Sequence, residues 1–227
     1  EAALETAAAA LARPAGDASG PQLLQAALRA LGRLVCAMRA PALGASAAEL
    51  ACHVLGAAGA PRSAEQCRTQ SLQLLRSMAR DRAPGLWSEK VCSLVVPIVC
   101  SAAKDGAPDL DDLDDVALPT QAARECLRAL ARADPHRVVP EVLDFARKAS
   151  ESVDALDRAA AVHALSFALC GAQEASAGWA GPLANALSDR TVWVRQAACE
   201  GTAMLAEALR PDPAATEGLI TLRAALA

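Results

Sequence analysis

The chain has 227 residues, 53% of them hydrophobic, a formal net charge of −4 and eight cysteines, but no Tyr, two Phe and three Trp. A single globular core normally draws on more aromatic bulk, whereas stacked Ala/Leu helices need small residues for close approach. No run of 18 or more uncharged apolar residues exists, and Glu1-Ala-Ala-Leu4 is not a charged start followed by an apolar stretch, so neither a membrane span nor a signal peptide is expected.

In chain order, Glu1–Arg13 reads as a helix closed by the stretch from Pro14 to Gly20. Pro21 stands at the first position of the next helix, where its missing N–H costs nothing, and Gln22–Ala40 follows until Pro41. Ser46 with Glu49 and Ser63 with Gln66 have the S-x-x-E/Q form of a capping box, predicting helices over 47–58 and 64–82. Ala83-Pro-Gly85 turns the chain into Leu86–Ala103, whose Pro97 removes a backbone hydrogen bond and predicts a kink. Between Lys104 and Pro119 there are six Asp in the eleven residues 105–115, and mutual repulsion with poor helix propensity predicts an exposed insertion loop. Helices are expected again over Thr120–Ala133, from Asp134-Pro135 to Ala149, over Ala155–Cys170 after Asp154, in a segment to Leu187 with Pro182 in its first turn, and over Thr191–Arg210.

These helices are not independent. Windows starting at Leu24, Arg68, Thr120, Arg158 and Arg195 superpose without a gap. The third residue after each start is always small (Ala27, Ser71, Ala123, Ala161, Ala198), and the seventh (Leu31, Leu75, Leu127, Leu165, Thr202) and tenth (Leu34, Met78, Leu130, Ala168, Leu205) continue one stripe at helical spacing. The intervals between these starts are 44, 52, 38 and 37 residues. Self-similarity at about 40 residues with two helices per unit predicts an all-α fold, an α-solenoid of HEAT repeats. The repeats fall at roughly 1–40, 46–82, 86–133, 135–170 and 178–210, another starts at 214–227, and the acidic insertion occupies 104–119. The interrupted apolar pattern at Ala227 reads as an internal piece of a longer solenoid.

Cysteines scattered through helical patterns without C-x-x-C spacing point to a reducing compartment, cytoplasm or nucleus. With no Cys/His cluster, no phosphate-cradling Gly loop, no G-x-S-x-G and no H-E-x-x-H, no metal, cofactor or catalysis is expected. Repeats of 37 to 44 residues also exceed the roughly 30 of small HEAT-like lyases.

The binding candidates lie on one face. The side of the second helices opposite the core stripe carries Gln25, Arg29, Thr69, Gln73, Arg76, Arg80, Gln121, Glu125, Arg128, Arg132, His163, Ser166, Gln196, Glu200 and Glu207, basic in the middle and acidic at the end. A phosphate-binding stripe would be uniformly basic, so direct nucleic-acid binding is not expected. Trp193 precedes the last such helix. His163 and Glu200 hold equivalent positions in successive repeats. Asp189 and Arg195 fit a structural pair, the acidic turn residue meeting the first-turn Arg of its own repeat or its neighbour in the stack. The run Asp109, Asp111, Asp112, Asp114 and Asp115 suits a salt-sensitive arm for a basic partner.

Three stretches, CRTQSLQLLRSMARDRAPGLWSEKVCSLVVPIVCSAA followed by the acidic loop, TQAARECLRALARADPHRVVPEVLDFARKA, and the pair ALDRAAAVHALSFALCGAQE and LANALSDRTVWVRQAACEGTAMLAEALRPD, resemble the importin-β (karyopherin-β) family, nearest the importin-4/importin-5 type. The resemblance covers residues 66–213, and the acidic insertion ahead of this pair of repeats is its most discriminating part. It implies a nuclear transport receptor that takes basic cargo such as histones or ribosomal proteins on its concave face and releases it to Ran-GTP, with nucleoporins as further partners. By that analogy Asp109, Asp111, Asp112, Asp114 and Asp115 would contact cargo or Ran, and Trp193, Gln196, Glu200 and Glu207 cargo. A static HEAT scaffold, of phosphatase-regulatory or chromosome-organising type, is the alternative.

Overall fold

A computed structural model of the chain describes residues 19–38, 45–49, 51–52, 62–80, 89–104, 119–173, 178–209 and 213–226. Regular structure among these residues is helical: α1 Ser19–Met38, α2 Arg62–Arg80, α3 Glu89–Ala102, α4 Pro119–Ala133, α5 Pro135–Ser150, α6 Ala155–Ala172, α7 Ala180–Leu187, α8 Val192–Ala208 and α9 Pro213–Leu226. A short helical segment at 45–49 and 51–52 precedes α2.

The starts follow from local chemistry. Asp134 accepts the Arg137 N–H at 3.2 Å ahead of Pro135, and Asp154 accepts the Leu156 N–H at 2.9 Å, so each satisfies a donor that the first turn leaves orphaned. Ser63, expected to cap α2 from outside, lies one residue inside it, a shift within the ordinary fraying of helix ends. Pro97 sits within α3. Gln173 closes α6 in the left-handed region at φ 57°, returning its N–H to the Leu169 carbonyl.

Two layers result. In the inner layer α1, α2, α4, α6 and α8 pack side by side, and in the outer layer α3, α5, α7 and α9 do the same, each outer helix α3, α5 and α7 leaning on the inner helix that follows it. The repeated stripe is what they bury. Ala27, Ser71, Ala123, Ala161 and Ala198 are buried at every junction, as are Leu31, Leu75, Leu127 and Leu165. Each such leucine contributes about 2 kcal/mol by leaving water. Leu34 departs from the pattern at 41% exposed; α2 is the only inner helix packed along α1 among the described residues.

Glycine sets the closest approaches. A Cβ on Gly171 of α6 would strike the Arg128 backbone carbonyl on α4, and one on Gly201 of α8 would strike Ser166 Oγ on α6. Ser166 therefore does not belong to the exposed inner face on which helical spacing put it. It is buried, and its hydroxyl donates to the Val162 carbonyl at 2.8 Å.

Candidate protein-binding inner face

Of the two partners open to Asp189, the first-turn Arg of its own repeat and that of its neighbour in the stack, the fold uses the neighbour. Asp189 turns its carboxylate to the preceding repeat, where Arg158 grips it through Nε at 2.6 Å and a terminal nitrogen at 3.0 Å, both side chains about nine-tenths buried. Arg195 donates instead to the Asp189 backbone carbonyl at 2.7 Å. Arg158 also donates to the Ser152 and Val153 carbonyls, at 2.9 and 3.1 Å, and to the Thr191 hydroxyl at 3.3 Å, so its whole fork is used. The Arg158 hydrogen bonds, assisted by the Thr191 N–H, hold the Asp189 carboxyl down at about 2. Lys104 extends this ladder upstream with bonds to Asp157 at 2.7 Å and Asp154 at 3.0 Å. The ladder ties three successive repeats along one edge, and its members are structural.

The inner face is where side chains remain available. Trp193 is 39% exposed at the start of α8. With Gln196 and Glu200 from α8, Arg124 from α4 and His163 from α6 it lines a cavity of about 210 Å³. Gln196 donates to Glu200 at 2.9 Å, leaving that carboxylate's other oxygen for a visitor. Burial, with the Arg124 charge beside it, lowers His163 to about 4, so its ring is neutral near pH 7. His163 and Glu200 thus share one cavity, while Glu207, exposed farther along α8, does not line it.

Arg124 is the residue that sequence reasoning passed over. Of its equivalents, Leu28, Leu72 and Val162 are buried in the stripe and Cys199 is exposed, so a charge there broke a mostly apolar position. Its Nε is buried without a hydrogen-bond partner, and burial lowers its pKa against the opposing pull of Glu200. Asp109, Asp111, Asp112, Asp114 and Asp115 lie outside the described residues. Neither a metal-competent cluster of His, Cys, Asp and Glu nor a helix long and apolar enough to cross a membrane occurs among the described residues.

No family profile matches this chain, and no curated protein does. Among solved structures, a crystal structure of importin β obtained in ammonium sulfate superposes with a TM-score of 0.71 at 16% identity, over 98% of this chain and 27% of the importin β chain. The chain therefore spans about a quarter of the length of the protein it matches. At that identity the likeness is one of architecture, and the architecture it establishes is an importin-β-like solenoid of HEAT repeats.

Proposed function

We propose that this chain is a segment of a nuclear transport receptor of importin-4/importin-5 type, which carries basic proteins such as histones or ribosomal proteins between cytoplasm and nucleus and releases them to Ran-GTP, with no catalytic step. The observation that carries the reading is the exposed Trp193 beside Glu200 and Gln196 on the inner face of an importin-β-like stack. An indole face attracts an arginine or lysine head by cation–π contact, and a carboxylate two turns along the helix can take up the N–H donors of a second basic side chain. Glu207 adds a second acidic position farther along α8, and the aspartates at 109, 111, 112, 114 and 115 supply the negative potential that draws a basic tail in from solution. Ran and nucleoporins are the further partners of this reading.

The test is fluorescence anisotropy of a labelled histone-tail peptide over a salt series, for the native chain, for Trp193→Ala with Glu200→Gln, and for Asp111, Asp112, Asp114 and Asp115 changed to Ser. Salt-sensitive binding that both variants weaken by about tenfold supports the carrier. Absence of binding in the native chain would leave a static HEAT scaffold as the better description.

A further inference from the structure

Upstream of α8 the inner face has the opposite charge. Arg76 and Arg80 stand one turn apart on α2, Arg128 and Arg132 one turn apart on α4, and the four line a groove of about 320 Å³ with alanines between them. Glu125 is the one acidic side chain in the lining, 3.2 Å from Arg76. The Nε of Arg76 is buried with no hydrogen-bond partner, and Arg80 and Arg128 make no ion pair or hydrogen bond among the described residues. Four guanidinium groups facing a single carboxylate concentrate positive charge in a chain whose net charge is −4. Like charges one turn apart on a helix destabilise it; Glu125 relieves this at Arg76, and an incoming anion would relieve it at Arg80 and Arg128.

We propose that this groove binds an acidic segment of a partner protein, with Asp or Glu carboxylates seated on the guanidinium forks of Arg80 and Arg128. The planar fork matches a carboxylate in two parallel hydrogen bonds. Two α-helices' width admits one extended strand or one helix face. A nucleic acid is the poorer fit: its phosphates ask for a longer basic track and its bases for aromatic platforms. This track stops at Glu200 and Glu207, and no aromatic side chain lines the groove. The site is separate from the Trp193 cavity and does not depend on the carrier reading.

A fluorescein-labelled polyglutamate peptide, titrated with the 227-residue chain at low and at physiological salt, tests the site. Saturable, salt-weakened binding is expected, and Arg80→Gln with Arg128→Gln, both exposed and outside the core, should weaken it about tenfold or more. The control, Arg147→Gln with Lys148→Gln, removes the same charge from the outer helix α5 and should leave affinity within about twofold. The proposal fails if the native chain does not bind, if the control loses as much affinity as the groove variant, or if an oligothymidine of matched length binds as tightly as the peptide. Histone-tail binding, measured on the same groove variant, should be unaffected, which separates the failure of one site from that of the other.

Discussion

Between α6 and α8 the adjoining repeats are joined by a buried bidentate ion pair and a glycine pressed against a neighbouring side chain. Between α1 and α2 the same junction is made by leucines, Leu24, Leu28 and Leu31 with Leu72 and Leu75, and its polar contact, Arg29 to Gln70 at 3.1 Å, lies at the exposed surface. Both junctions use the same repeated stripe. They differ in what must be matched: a leucine interface adjusts by changing rotamers, whereas a backbone approach or a desolvated ion pair has one workable geometry.

Glycine substitutions should separate the two kinds of junction, with Gly171, buried at the α4–α6 approach, standing for the rigid kind and the half-buried Gly32 of α1 for the plastic kind. Gly171→Ala places a methyl against the Arg128 carbonyl, which cannot rotate away, so α4 and α6 must part. We expect the melting temperature to fall by about 10 °C, several-fold more than alanine's helix propensity returns. A next, smaller effect is expected for Asp189→Ala, about 5 °C by the same thermal measurement, because Arg158 is left buried with the two N–H donors that Asp189 accepted unpaired. The Asp189 carboxyl titrates at about 2 in the fold, below the ordinary 3.8. Its contribution is therefore complete above 3.8 and lost as pH falls through 2, so the native and variant melting curves should differ equally at pH 7 and pH 5, begin to converge below about pH 4 and meet only below about pH 2. Smallest is Gly32→Ala in α1. The added methyl meets only the end of the Leu74 side chain at 3.3 Å, so the melting temperature should move by less than about 2 °C, upward if Leu74 gives way. A large loss at Gly32, or none at Gly171, would erase the distinction between plastic and rigid junctions.

The repeats were legible because periodicity is a local signal: which residues face inward depends on about 100° of turn per residue, and Ala123, Leu127 and Leu130 report it without reference to any other helix. Partnership between repeats is not local in this way. Asp189 lies six positions before Arg195, and a one-dimensional reading leaves that residue and its counterpart in the adjoining repeat both open. In three dimensions the turn aims the carbonyl at Arg195 and frees the carboxylate for the repeat before it. Ser166 went astray for a related reason: its helical angle matches exposed positions elsewhere, yet the close approach allowed by Gly201 brings α8 over it. Of the candidate site, Trp193, Gln196 and Glu200 were identifiable as inner-face residues, and Arg124 was marked by a charge at a mostly apolar position, but its opening into the cavity depends on how α4, α6 and α8 meet.

The outer helix α7 has 8 residues against 17 in its partner α8, so it covers only about half of the partner's length. Trp179 stands at its entrance, 1% exposed, with its indole against Gly218 of α9. With Trp193 on the opposite layer at the mouth of the cavity, and with Trp87 replaced by Phe, the two remaining indoles divide an optical signal between them. Trp179 emits from a dry site and is shielded from iodide, so its spectrum follows parting of the outer layer, whereas Trp193 is open to quencher and dims or brightens as the inner face is occupied. Trp87→Phe is thereby the one substitution needed to distinguish a solenoid that flexes from one that fills.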